Sequence, residues 1–184
     1  MSWDTQLFFA LNSLAGRTPF QDGLIVAVAS YLPYLLVGGF ALYLLVQRTW
    51  STKQKAFAFC SAIAAALIAR IGIGSPIRYF FPRPRPFLTY AVHQLIPEHA
   101  PSFPSGHALF FFAFSTAAYF MDKRLGILFY VLTVFICLAR VAAGIHYPSD
   151  IIAGAVLGTL CGWAVLRYIA PHVERSNWWR KVTI

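Results

Sequence analysis

Charge is what this sequence has least of. Only 11% of its 184 residues are Asp, Glu, Lys or Arg, and six residues are acidic. With 59% hydrophobic residues and a mean hydropathy of +0.63, the chain has too little polar surface to cover a soluble globule. That scarcity excludes a soluble domain and leaves an integral membrane protein. Cysteine is scarce as well. Cys60, Cys137 and Cys161 each fall inside an apolar run, where they read as small buried hydrophobes, neither disulfide partners nor ligands. No grouping of Cys, His and carboxylates suggests a metal site, so neither metal nor cofactor is expected, and nothing points to nucleic acid. A basic leading region with a small-residue cleavage site is also missing, so no signal peptide is read and the first span serves as an uncleaved anchor.

What is present is a series of long apolar runs. At about 1.5 Å of rise per helical residue and a hydrocarbon core of about 30 Å, the runs over residues 24–46, 56–77, 106–143 and 149–169 are long enough to cross a bilayer. Asp122, Lys123 and Arg124 divide the third into 106–121 and 125–143, giving five spans. The expected fold is all-α, a polytopic membrane helix bundle forming one domain over residues 1–184. Within the N-terminal segment 1–22, Leu7, Phe8, Leu11, Leu14 and Ala15 recur at helical spacing before Gly16-Arg17-Thr18-Pro19 closes the run. An amphipathic helix lying in the interface fits this better than a sixth span.

Charge placement orients the spans. Arg48, Lys53 and Lys55 follow the first span, Lys123 and Arg124 separate the third from the fourth, and Arg167 with the basic tail over 170–184 ends the chain. Alternate threading puts all of them on one side, which their excess marks as cytoplasmic. The connections over 78–105 and 144–148 then face outward. They carry three polar clusters, Arg78 to Arg85, Pro104-Ser105-Gly106-His107, and Arg140 through His146 to Asp150. Arg78, Arg83, Arg85 and Arg140 lie on the wrong side for the charge rule, so a local anion is the expected partner.

Each cluster has its own chemistry. Ser105 can cap the third span and leave the N–H groups of Gly106 and His107 directed at an anion, with glycine admitting a bulky phosphate. Pro148 suits the first turn of the last span, and Asp150 in that turn can hold one nitrogen of His146 while the other is free to attack. Arg78 and Arg85 flank Pro82-Arg83-Pro84, an extended polyproline-type segment whose guanidinium forks match phosphate oxygens. Arg70, within the second span, is an intramembrane charge that should face a polar cavity beside this site or snorkel outward. Glu98, His93 and His99 in the outer loop read as solvated surface.

Together the clusters resemble the signature of the type 2 phosphatidic acid phosphatase superfamily. The chain has Arg78, six residues, Arg85-Pro86; then Pro104-Ser105-Gly106-His107; then Ala139-Arg140, five residues, His146, three residues, Asp150. Every internal spacing matches. Arg78 stands where the family usually has Lys, and Ala139 where it usually has Ser. The resemblance implies metal-independent phosphoryl transfer in which His146 attacks phosphorus, Asp150 orients it, and His107 protonates the leaving oxygen and later activates water. Arg78, Arg85, Arg140, Ser105 and Gly106 would bind the phosphate. It also implies a lipid phosphate as substrate and membrane lipids as partners. The nearest subgroup by loop sequence is the bacterial undecaprenyl diphosphate phosphatases, several of which carry Asp where this chain has Gly106. That subgroup acts on the outer face of the bacterial cytoplasmic membrane. Phosphatidate, phosphatidylglycerophosphate and lipid A are alternative substrates. A non-catalytic protein that binds or moves phospholipid is the alternative from another class, although binding alone needs only the arginines.

Overall fold

A computed structural model describes residues 1–169. These fold into helices only: α1 (Trp3–Asn12), α2 (Pro19–Val46), α3 (Thr52–Phe80), a short α4 (Pro86–Thr89), α5 (Gly106–Met121), α6 (Lys123–Ala142) and α7 (Pro148–Tyr168). Among them α2, α3, α6 and α7 are long and apolar enough to cross a membrane. The fifth apolar helix, α5, has 16 residues and reaches only about 24 Å. Its place is the middle of the bundle, packed most extensively on α7 and α6 and then on α3. The basic tail over 170–184 lies outside the described residues.

Two boundaries differ from the expected spans in ways that matter. The second span continues to Phe80, so Arg78 belongs to the last turn of α3 and not to the loop. The first begins at Pro19, where the Thr18 side chain caps the helix by accepting from Gln21 N. Both long N-terminal helices contain a π-helical turn shortly before a proline, Ala27–Tyr31 before Pro33 and Ile68–Ile73 before Pro76. Pro33 has no N–H for the carbonyl four residues back, that of Ala29, and Arg140 Nη1 donates to that carbonyl at 3.5 Å.

Close contact of α5 with α7 sets the register between two polar clusters. Gly154 and Gly158 are one turn apart on α7. A Cβ on Gly154 would lie 2.6 Å from the Ala108 Cβ, and one on Gly158 would lie 2.6 Å from the Leu109 carbonyl oxygen. Small residues thus let the two backbones touch, as membrane helices do without a hydrophobic drive between them. At the top of this contact Ser105 N donates to the Asp150 carbonyl at 3.1 Å.

Ten residues make α1 about 15 Å long, too short to span. Its polar face is turned inward. Asp4, Thr5, Phe8 and Asn12 are buried while Trp3 and Leu7 are exposed. Asn12 Nδ2 donates to the Ala142 carbonyl at the end of α6 and to the His93 carbonyl, both at 2.8 Å. The chain turns from α6 to α7 beside this contact at Gly144, whose φ of +80° suits glycine and whose missing Cβ leaves room for the His93 carbonyl oxygen.

Candidate active site

One end of the bundle gathers the last turn of α3, the first turns of α5 and α7, the last turn of α6 and the extended segment before α4. His146 lies between two different surroundings there. Behind it stands Asp150, fully buried in the first turn of α7. The Asp150 Oδ2 accepts from Tyr147 N at 2.9 Å and from Ser102 Oγ at 2.5 Å, and Oδ1 accepts from Arg83 Nη1 at 2.7 Å. His146 Nδ1 faces both Asp150 Oδ2 and Ser102 Oγ at 3.4 Å. In front, His146 Nε2 faces Arg85 Nη1 at 3.4 Å. A guanidinium can only donate, so Nε2 carries the lone pair and Nδ1 the proton. The unprotonated nitrogen therefore points at the cavity.

Burial pushes the His146 imidazole down to about 4, with Arg140 and Arg85 acting in the same direction against the Asp150 hydrogen bond. It is neutral at pH 7, the state a nucleophilic imidazole requires.

The cavity in front of His146 has a volume of about 110 Å³. That is below the roughly 300–1,000 Å³ of pockets that engulf a drug-sized ligand, so it suits a headgroup and not a lipid chain. Arg78, Arg85 and Arg140 reach it, with Gly106 and His107 from the start of α5. Arg85 is fixed by donating from Nε to the Ala100 carbonyl and from Nη1 to the Ile145 carbonyl, both at 2.6 Å. Burial lowers its affinity for its proton, and the Glu98 and Asp150 carboxylates offset only part of that. Arg78 donates to the Pro104 carbonyl at 3.1 Å and the Arg70 carbonyl at 3.0 Å. Gly74, one turn earlier, makes room, since a Cβ there would sit 3.1 Å from both terminal nitrogens of Arg78. Arg140 is 3% exposed, its Nη1 faces His107 Nε2 at 3.4 Å, and its buried Nε has no hydrogen-bond partner among the described residues. A buried donor without an acceptor is costly, and an anion in the cavity would relieve it.

Of the residues named from sequence, His146, His107, Arg78, Arg85, Arg140 and Gly106 meet at this cavity. Asp150 stands directly behind it. Ser105 is placed otherwise than expected of a phosphate ligand, being fully buried with its hydroxyl accepting from Ala108 N to cap α5. Its effect on an anion is through the helix end that it holds.

Asp4 and Ser102 were not singled out from sequence, and Glu98 and Arg83 take places other than those expected of them. Glu98, read as solvated surface, folds into the site, where Oε1 accepts from Arg140 Nη2 at 2.6 Å and Oε2 lies 3.5 Å from Arg85 Nη2. Arg83 turns away from the cavity, donating to Asp150, to Ser149 Oγ at 2.7 Å and to Asp4 Oδ2 at 2.8 Å, with its guanidinium carbon 4.0 Å from the Tyr147 ring centroid. Asp4 from α1 also accepts from Ser149 N and Oγ at 2.8 and 2.6 Å. Ser102 links Asp150 and His146. Asp4 alone carried a signal, an acidic residue in a short apolar segment of a chain with few acids.

The chain as a whole has counterparts among known proteins. The model for the PAP2 superfamily matches residues 55–174. Undecaprenyl-diphosphatase BcrC of Bacillus subtilis (strain 168) is 30% identical over 180 residues, covering 92% of this chain and 87% of that protein. A Bacillus licheniformis protein named bacitracin transport permease protein BcrC is 29% identical over 169 residues, covering 91% of this chain and 80% of that protein. Among solved structures, Aquifex aeolicus LpxE superposes with a TM-score of 0.74 at 25% identity, covering 91% of this chain and 97% of that one.

Proposed function

The chain belongs to the PAP2 superfamily and is a membrane lipid phosphatase; we propose that it hydrolyses a polyprenyl diphosphate, undecaprenyl diphosphate in a bacterial membrane, through a phosphohistidine on His146. The observation that carries the mechanism is the lone pair of His146 Nε2 facing a guanidinium-lined cavity while Asp150 and Ser102 hold the opposite nitrogen. The likeness to an undecaprenyl-diphosphatase over 92% of the chain carries the choice of substrate.

In the first step a bond forms between His146 Nε2 and the terminal phosphorus, and the bond from that phosphorus to the bridging oxygen breaks. The lipid monophosphate leaves as His107 supplies a proton to the departing oxygen. Arg78, Arg85 and Arg140 bear the charge on the nonbridging oxygens, positioned before the reaction begins. In the second step water attacks the phosphohistidine, His107 accepts the proton, and orthophosphate leaves. The lipid chain stays in the bilayer because the cavity admits only the headgroup.

Arg48, Lys53, Lys55, Lys123, Arg124 and Arg167 cluster toward the end of the bundle opposite the site, which supports an active site on the outer face of the cytoplasmic membrane. The Bacillus licheniformis relative is named a bacitracin transport permease, which favours a second reading, a transport function using the same anion cavity.

Purified protein in detergent with chelator should release orthophosphate from undecaprenyl diphosphate. His146→Ala should abolish release, by at least about a thousandfold. Phosphate label trapped on wild type by denaturing at alkaline pH should be stable to base and lost in acid, as expected for phosphohistidine. No release from any lipid phosphate would leave only the transport reading, and equal release by His146→Ala would remove His146 as the phosphorylated residue.

A further inference from the structure

The cavity has one cation more than those steps use. Arg70 lies in the π turn Ile68–Ile73 of α3, one side of which borders the cavity. In a regular α-helix the eight positions from Arg70 to Arg78 advance about 800°, which leaves their side chains roughly 80° apart. A π turn accommodates about one extra residue, so the rotation falls to about 700°, close to two whole turns. Both arginines consequently border the same cavity. They converge over the backbone at the start of α5. A Cβ built on Gly106 would lie 3.5 Å from Arg78 Nη1 and 3.7 Å from both Nε and Cζ of Arg70.

No carboxylate or carbonyl among the described residues accepts from the Arg70 guanidinium. An arginine within a span is expensive unless an anion or water meets it. Among the described residues four guanidinium groups border the cavity against the single carboxylate of Glu98, a surplus of three positive charges. A phosphate monoester brings about −1.5 to −2. A diphosphate brings one further ionised oxygen, on the phosphate that bears the lipid. Arg70 lies about two turns deeper in the span than Arg78, on the side from which the lipid chain must enter.

We infer that Arg70 binds the lipid-bearing phosphate of a diphosphate substrate, beside the terminal phosphoryl group held by Arg78, Arg85 and Arg140, and thereby selects diphosphates over phosphate monoesters. This rests on the phosphatase reading given above. When the bond from the terminal phosphorus to the bridging oxygen breaks, its electron pair stays on that oxygen, which becomes part of the lipid monophosphate. Arg70 stabilises the charge formed there. The departing phosphate has a second pKa of about 6, whereas a monoester expels an alkoxide whose conjugate acid is closer to water at about 15.7. Diphosphates therefore depend more on Arg70, and monoesters more on the proton from His107.

The test compares wild type, Arg70→Gln and Arg70→Lys in detergent with chelator. Undecaprenyl diphosphate and phosphatidate are the substrates, and pyrophosphate and orthophosphate the competitive inhibitors. Arg70→Gln should lose about ten- to a hundredfold in kcat/KM on the diphosphate, the range of a charge-assisted hydrogen bond. Pyrophosphate inhibition should weaken in parallel. Phosphatidate turnover and orthophosphate inhibition should stay within about twofold, and Arg70→Lys should recover part of the diphosphate rate. Equal losses with both substrates and both inhibitors, or no loss with either, would overturn the assignment of Arg70 alone. If Arg70→Gln does not fold, the ratio of pyrophosphate to orthophosphate inhibition in Arg70→Lys decides, with an unchanged ratio counting against it. A wild type that releases phosphate from neither lipid would instead remove the phosphatase reading, and one that acts only on phosphatidate would remove the diphosphate reading together with this inference.

Discussion

Arg83 and Arg85 are two residues apart in one extended segment and face opposite sides of His146. Arg83 looks toward Asp150 and Asp4, and although burial opposes its charge, those carboxylates overcome the penalty and hold it above the ordinary arginine range. Arg85 looks toward the cavity, where burial prevails and its carboxylate neighbours among the described residues are Glu98 at 3.5 Å and the more distant Asp150. A polyproline-type backbone accounts for the split, since at three residues per turn side chains two positions apart point about 120° away from each other, whereas strict strand alternation would put both on one side, and Pro84 between them adds no N–H. Behind His146 donors and acceptors close on one another, which fixes the tautomer. In front of it guanidinium groups outnumber their acceptors, which leaves the cavity to be completed by an anion. A site that must hold one residue still and admit another molecule needs both conditions.

The largest break in this comparison should come from the cavity side. Arg140→Ala removes a buried guanidinium that reaches both His107 and Glu98. Its loss takes away charge stabilisation for the transferred phosphoryl group, and kcat/KM on undecaprenyl diphosphate should fall about 10²- to 10³-fold. Orthophosphate inhibition should weaken with it. Unaltered orthophosphate inhibition would show that Arg140 holds the helices together and does not hold the anion.

A smaller and differently shaped effect is expected behind His146. Arg83→Met leaves the cavity cations in place but releases Asp150 from one side and Asp4 from another. The expected result is a kcat about tenfold lower with KM within about twofold, because the nucleophile is less well oriented while phosphate binding is untouched. Stability should fall by about 1–2 kcal/mol, modest because Arg83 is one-third exposed. Asp4→Asn should move both quantities the same way by less, since Ser149 and Arg83 can still donate to the remaining amide oxygen. A rise in KM with kcat unchanged would place Arg83 on the substrate side and dissolve the distinction.

The two sides were not equally legible in the sequence. Cavity residues belong to short motifs next to span ends, and their chemistry follows from residue type and helix position: Gly106 and His107 begin α5, Arg140 is in the last turn of α6, and Arg78 ends α3. The residues behind His146 come from scattered places, Asp4 near the start of the chain and Ser102 in a loop, joined by contacts between positions more than 40 residues apart. No local pattern encodes such pairs. The inward contacts of α1 are equally nonlocal: Trp3 and Leu7 stay exposed while Asp4 and Asn12 turn inward, because the end of α6 and Ser149 offer them hydrogen-bond partners. Arg70 was legible as an expensive charge at a telling depth. Its alignment with Arg78 depends on a π turn, which helical periodicity alone does not reveal.

Glu98 should give the smallest effect and the sharpest test of the comparison, because among the described residues it is the one carboxylate on the side where cations otherwise prevail. In the structure it accepts from Arg140 and lies beside Arg85, the positions where phosphate oxygens would bind. A carboxylate there competes with the incoming anion and must move aside or share its donors. Glu98→Gln keeps the side-chain shape and removes the charge, so orthophosphate should inhibit about three- to tenfold more strongly at low salt, with a smaller gain at high salt because Glu98 is partly exposed. The KM for undecaprenyl diphosphate should fall with it, while release of orthophosphate becomes slower and limits kcat. The opposite result, weaker inhibition with a higher KM, would mean that Glu98 orients Arg85 and Arg140 for the phosphate. In that case the front of His146 is built by internal pairing much as the back is, and the surplus of positive charge is not what draws the substrate in.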